Sequence, residues 1–190
     1  MPLPEPQILR YTRWLERERG LKFDATTTTG YDEMWRWSVA DLRAFWGSIW
    51  DYFDVRSPTP YSRVLVDEVM PGAQWFPGAR LNYAAQVLRH AQAAHAAGHR
   101  AIIFQSERLR ERGEMQTLEW PELRRQVGAL AAAFKHMGVA PGERVCAYLP
   151  NVPQTVVAFL ACASVGAVWS VCSPDMGPVA VLDRFAQIEP

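Results

Sequence analysis

Residues 143–177 read ERVCAYLPNVPQTVVAFLACASVGAVWSVCSPDMG, and the order of elements in this stretch decides the fold. Arg144 to Leu149, uncharged from Val145 onward, is predicted as a strand. Pro153 suits the first turn of a helix, whose leading N–H groups have no partner within the helix in any case. That helix is expected to end near Gly166, and Ala167 to Cys172 forms a second apolar run. Neither Val145–Leu149 nor Ala167–Val171 carries a charge, as expected of strands covered on both faces. Strand, helix and strand in succession predict parallel pairing through a crossover helix.

The uncharged run from Val152 to Pro174 is long enough for a bilayer, which takes about 20 residues. Gly166 splits it, prolines flank it, and Ser, Thr, Gln and Cys are scattered through it. A buried helix followed by a buried strand explains the run better than a membrane span, so no membrane partner is expected.

Working outward, Pro178 opens a final helix to about Ile188. Upstream, Pro121 opens a helix running to Met137 and stopped by Gly138. Met115–Trp120 and Ala101–Gln105 read as partner strands, joined by the mixed-charge segment Glu107–Glu114, a solvated connection. From residue 115 the order is strand, helix, strand, helix, strand, helix, which predicts a mainly parallel sheet with helices packed on it.

The pattern changes near residue 98. Residues 1–98 are expected to form a helical, Trp-rich extension and residues 99–190 the start of an α/β domain. In the extension, residues 6–19 read as a helix stopped by Gly20. Residues 21–37 read as irregular, because Thr26–Gly30 favours a loop. Ser38 is expected to cap a helix from Val39 to Phe53, with Asp41 near its positive end. Leu42, Phe45, Trp46, Ile49, Trp50 and Phe53 form its apolar face. Val64–Val69 alternates in part, like a strand, and a single helix is expected over residues 82–97, capped by Asn82 and stopped by Gly98.

The chain carries 20 basic and 20 acidic residues, so no net charge draws it to nucleic acid or an acidic surface. Cys146, Cys162 and Cys172 are odd in number and show no Cys-x-x-Cys spacing. Reduced thiols and a cytoplasmic location are expected. The charges spread over residues 5–19 leave no apolar core for a secretory signal. Among the four histidines, His95 and His99 lie one helical turn apart without further ligands between them, a solvated face and no metal site.

The chain has no Gly-x-x-x-x-Gly-Lys-Ser/Thr, no Gly-x-Gly-x-x-Gly, no Gly-x-Ser-x-Gly and no Ser/Thr/Gly-rich loop leading to a lysine. Nucleotide phosphates need such clustered donors. Ligands of an open parallel sheet gather beyond the carboxyl ends of its strands. Two segments meet that condition, Pro150–Asn151 and Ser173–Gly177. Turn chemistry alone and contact with a ligand both account for their composition.

Three segments in this order, Trp35-Arg36-Trp37-Ser38-Val39, Trp75-Phe76-Pro77-Gly78-Ala79-Arg80-Leu81-Asn82-Tyr83-Ala84 and residues 143–190, resemble the AMP-forming acyl-CoA synthetase family, in particular its acetoacetyl-CoA synthetase branch. Ser173-Pro174-Asp175-Met176-Gly177, with Val181-Leu182-Asp183-Arg184-Phe185 after it, is the part most specific to that branch. Gln154, Val171 and Met176 depart from the family's usual residues. The resemblance implies an N-terminal extension followed by the opening βαβ units of a large N-terminal domain. It implies a ligase that joins acetoacetate to CoA through an acyl-adenylate, using ATP and magnesium. Ser173, Pro174, Asp175, Met176 and Gly177 would lie by the CoA or acyl channel. The family's phosphate loop, aromatic-Thr-Glu motif, ribose-binding Asp and C-terminal Lys find no counterpart in these residues. The expectation is therefore the first part of a longer polypeptide, inactive alone, with no catalytic residue of its own, no tight ligand, and the rest of its polypeptide as partner. A ligase for acetate or propionate, and a non-catalytic α/β module that binds a partner through its aromatic N-terminal segment, stand as alternatives.

Overall fold

The computed structural model describes residues 5–190. Packing divides the chain into two compact units, Met1–Leu81 and Asn82–Pro190, and the first four residues of the expected extension lie outside the described residues. The change of sequence pattern at residue 98 and this break in packing are different boundaries. Residues 82–97 pack within the second unit, so composition and compactness divide the chain at different places.

Three helices build the first unit: α1 (Gln7–Arg19), α2 (Thr28–Ala40) and α3 (Leu42–Tyr52). Gly20 ends α1 in the left-handed region at φ 68°, as expected from the sequence. α2 overturns the expected irregular stretch. The threonine run supplies its start: the Thr27 hydroxyl accepts from the Gly30 N–H at 3.1 Å. Met34 and Trp37 then face inward, where Met34 packs with Tyr11 and Leu15, and the Trp37 ring meets Phe23 and Phe45 at 5.5 and 5.6 Å. Burial of these large side chains outweighs the weak helix propensity of threonine. Ser38 caps nothing: it lies inside α2 and donates to the Trp35 carbonyl at 2.7 Å. The cap of α3 is Asp41, whose carboxylate accepts from the Ala44 N–H at 2.9 Å.

Ser48 is buried between α1 and α3 and gives its proton to the Phe45 carbonyl at 2.7 Å. Tyr11 therefore donates to Ser48, at 2.6 Å. The strand expected at Val64–Val69 is reduced to a single antiparallel bridge between Leu65 and Trp75. Backbone bonds flank it, from Val66 to Gln74 and from Phe76 to Val64. Phe76 stacks on Trp50 with ring centres 4.6 Å apart, and this contact anchors the ribbon.

The second unit begins with α4 (Tyr83–Leu88) and α5 (Ala91–Ala96), where one unbroken helix is expected. Asn82 caps α4 as read, accepting from the Ala85 N–H at 3.0 Å, and its amide also donates to the Ala163 carbonyl at 2.8 Å. The bend after Leu88 lets α4 and α5 reach different partners, the helices Pro153–Ser164 and Trp120–His136 respectively, and this tertiary packing breaks the helix where no proline or glycine does. β1 (Ile102–Phe104) and β2 (Gln116–Leu118) pair antiparallel, with Ile103 opposite Thr117. Between them α6 (Glu107–Glu111), capped by Ser106, occupies the charged connection. Then come α7 (Trp120–His136), β3 (Arg144–Tyr148), α8 (Pro153–Ser164), β4 (Val168–Cys172) and α9 (Pro178–Ile188).

β3 and β4 pair in parallel, Cys146 opposite Ser170, as the deciding stretch implied. β2 stays with β1 and does not extend this pair, so the described residues hold two two-stranded sheets in place of one longer parallel sheet. Full cover on both faces is likewise not seen, since Val168 and Val171 of β4 are exposed. The core lies where α7 meets α8: Leu123, Val127, Val157, Leu160 and Ala161 are buried there with Ala84 of α4.

Gly30 lets α2 start against the preceding loop. A Cβ there would collide with the Asp24 carbonyl, lying 2.7 Å from its carbon and 2.9 Å from the Asp24 nitrogen. Gly30→Ala should lower stability by about 3 kcal/mol through this overlap, whereas Gly128→Ala, with open space at the α7 surface, should raise it by about 0.5–1 kcal/mol. Urea unfolding midpoints check both, and equal effects would remove the claimed contact. Burial is the main cause that holds the Tyr11 hydroxyl above its ordinary value of 10.0. The unfolded tyrosine then loses its proton first, so stability falls as pH rises above that value. Tyr11→Phe should flatten this alkaline loss in pH-dependent melting curves.

Candidate functional site

Because β3 and β4 run parallel, their carboxyl ends lie at the same end of the pair. The two segments singled out from sequence, Pro150–Asn151 and Ser173–Gly177, emerge there side by side in the fold. The last rung sets Tyr148 opposite Cys172, and one more backbone bond, Leu149 N–H to the Cys172 carbonyl at 3.1 Å, carries the pairing past the strand end.

After β3 the chain folds tightly. The Val152 N–H and the Thr155 hydroxyl both donate to the Pro150 carbonyl, at 2.9 and 2.7 Å, which leaves Asn151 exposed at the bend. After β4 the Met176 N–H donates to the Ser173 carbonyl at 3.0 Å and closes a four-residue turn. Gly177 follows as the residue before α9, and its carbonyl accepts from the Val181 N–H at 3.2 Å. Ser173, Pro174, Asp175 and Gly177 are exposed, and Met176 is half-buried.

Two features of this turn escaped the sequence. One is Tyr148, whose hydroxyl lies 2.7 Å from the Met176 carbonyl and 2.9 Å from the Pro174 carbonyl. Its partners are main-chain groups, which leave no mark in side-chain composition. The other is the state of Asp175. Hydrogen bonds from the Ser173 hydroxyl and from its own N–H hold its carboxyl below the usual carboxylate range. The turn thus presents a fixed negative charge and no cation.

Elsewhere the chemistry is quiet. Among the described residues no cluster of three or more His, Cys, Asp or Glu side chains can hold a metal ion. His95 lies 3.5 Å from the Glu119 carboxylate, a surface contact in keeping with the solvated face read from the sequence. Burial pushes the Cys146 and Cys162 thiols up, so neither is set up as a thiolate nucleophile. Among the described residues no helix is long and apolar enough to cross a membrane.

A parallel βαβ unit with its exposed turns gathered at the carboxyl end has the arrangement at which open α/β sheets place their ligands. The family model described as AMP-binding enzyme matches residues 89–190, and the chain belongs to that family. Residues 31–87 match the model described as acetyl-coenzyme A synthetase N-terminus. The chain is similar to the acetoacetyl-CoA synthetase of Xenopus tropicalis, at 37% identity over 97% of this chain and 26% of that protein. It is 40% identical to the acetoacetyl-coenzyme A synthetase of Rhizobium meliloti (strain 1021), over 84% of this chain and 23% of that protein. The solved acetoacetyl-CoA synthetase from Streptomyces lividans superposes with a TM-score of 0.82 at 48% identity, covering 96% of this chain and 27% of that one. The chain spans about a quarter of the length of the curated relatives it matches.

Ser173→Ala should let the Asp175 carboxyl titrate closer to its ordinary value of 3.8, because the first cause of its lowering is removed. Carboxyl-carbon NMR across an acid titration would read the shift. A midpoint that stays in place would show that the Ser173 hydroxyl does not govern this charge.

Proposed function

We propose that the chain is the N-terminal portion of an ATP-dependent, AMP-forming ligase that joins acetoacetate to CoA through an acyl-adenylate. The observation that carries this reading is agreement of fold and sequence along nearly the whole chain with acetoacetyl-CoA synthetases, including the solved one. In such a reaction the acetoacetate carboxylate attacks the α-phosphorus of ATP and pyrophosphate leaves. The CoA thiol, losing its proton, then attacks the acyl carbon and AMP leaves.

The residues at the carboxyl end of β3–β4 fit part of this chemistry. A triphosphate with magnesium needs cations, clustered N–H donors and oxygen ligands. The Ser173–Gly177 turn offers one carboxylate and no cation, and no metal-holding cluster occurs among the described residues. These residues do not fit ATP phosphates or magnesium. The same carboxylate disfavours the acetoacetate anion. It suits the pantetheine arm of CoA, which is uncharged and carries amide N–H donors. Ser173, Pro174, Asp175, Met176 and Gly177 therefore line the path of that arm, and none of the described residues acts on the reacting atoms. The setting is cytoplasmic, in keeping with three free cysteines.

The isolated chain should show no acetoacetate-dependent ATP–pyrophosphate exchange. Residues 1–190 grafted in place of the matching segment of the Streptomyces lividans enzyme should restore acetoacetate- and CoA-dependent AMP release. Within that graft, alanine at Ser173, Asp175 and Met176 together should raise KM for CoA by about tenfold with little change in kcat, the mark of lost ground-state binding. Unaltered kinetics for both CoA and acetoacetate would remove the turn from the site. A graft active with acetate or propionate and not with acetoacetate would overturn the choice of acid.

A further inference from the structure

We infer that Tyr148 is the positioning residue of the Ser173–Gly177 turn, holding it in the shape that receives the pantetheine arm; the ligand named here rests on the reading above. The turn is joined to the body of the unit at its two ends, by β4 and by α9. Inside, it has the single backbone bond from Met176 to Ser173 and the Ser173–Asp175 contact. Neither fixes its direction relative to the strand pair. The Tyr148 hydroxyl does. It reaches from β3 to two carbonyls of the turn, Pro174 and Met176, across 26 and 28 residues of sequence.

A phenol has one hydroxyl proton, so the two carbonyls share it, and each stays within bonding distance only while the turn keeps its present curvature. The parallel register makes the reach possible. Tyr148 is the last residue of β3 and stands opposite Cys172, the residue immediately before the turn. A tyrosine kept for packing would hide its ring, but this one is 46% exposed. Tyr148→Phe keeps the ring and the area it buries, and removes only the hydroxyl. With both carbonyls in an exposed turn, a phenylalanine would leave them to water without stranding a buried polar group. The effect of losing the hydroxyl is local to the turn.

Hydrogen exchange on the 190-residue chain, wild type against Tyr148→Phe, reads this directly. The Met176 amide, bonded to the Ser173 carbonyl, should exchange about five- to tenfold faster in the variant, the loss expected for one net hydrogen bond. Exchange at Cys146 and Ser170 in the strand pair, and the thermal midpoint, should stay as they are. Titration with pantetheine followed by amide NMR should show shifts at the turn in the wild type and an affinity lower by a similar factor in the variant. Unchanged exchange at the Met176 amide would overturn the tether. Equal acceleration in β3 and β4 would make Tyr148 a sheet-stabilising residue and overturn the positioning role. An unchanged pantetheine affinity despite a loosened turn would do the same. If the wild-type turn shows no shift with pantetheine, the ligand assignment falls while the exchange result still decides the tether.

Discussion

Two parallel strands cannot be joined by a tight turn, and most of the second unit follows from that constraint. The link from β3 to β4 must travel back along the pair, and α8 is the element that does so. Its inner residues, Val157, Leu160 and Ala161, are buried with Leu123 and Val127 of α7. Burying side chains of this size contributes about 1.5–3 kcal/mol each for the larger ones, which fixes where α8 lies along its axis. That in turn fixes the register of the strands it connects. A slip of one residue would shift Tyr148 by about 3.3 Å along its neighbour and turn side chains to the opposite face. The hydroxyl would then miss the carbonyls of Pro174 and Met176. The shape of the exposed turn is thus set by packing at the other side of the helix.

Sequence patterning revealed those parts of the fold in which local signals and tertiary packing agree. Pro153, Pro178, Gly20 and Asn82 mark helix ends where the structure has them, because each acts through its own backbone geometry or its own side-chain cap. The parallel pair was legible because its strands are short, uncharged after Arg144 and separated by one helix. The failures share a cause. Thr26–Thr29 reads as a breaker only if Met34 and Trp37 have nothing to pack on, and the aromatic residues that hold them lie elsewhere in the chain, at Tyr11 and Phe45. Ser38 and Asp41 are both competent caps, and the choice between them is made by where α2 stops. β2 has the length of a strand, but nothing in Gln116–Leu118 says that its partner is β1 and antiparallel.

The place of the Ser173–Gly177 turn in the fold was legible, and its detail was not. The rule that ligands gather beyond the carboxyl ends of parallel strands needs only the order of elements, so Ser173–Gly177 could be singled out before any coordinates. The groups that shape it are main-chain carbonyls and a tyrosine 25 residues before Ser173 in the sequence. A composition reading is blind to both, since every residue has a carbonyl and Tyr148 looks like one more apolar strand residue.

In the proposed ligase, charge separates what this segment would do from what it would leave to other groups. Attack of a carboxylate on the α-phosphorus brings two anions together, and the barrier falls only where cations or aimed N–H donors meet the developing charge. The exposed Ser173–Gly177 turn carries the opposite sign, with the Asp175 carboxyl held ionised by Ser173. The Cys146 and Cys162 thiols are held in their protonated form by burial. In the proposed role such a site works by shape, guiding a neutral, amide-bearing chain past a rigid turn. Rigidity is what the parallel register and the Tyr148 hydroxyl supply, because a turn left free to flex would surrender to ordering entropy much of what it gains from contact with its ligand.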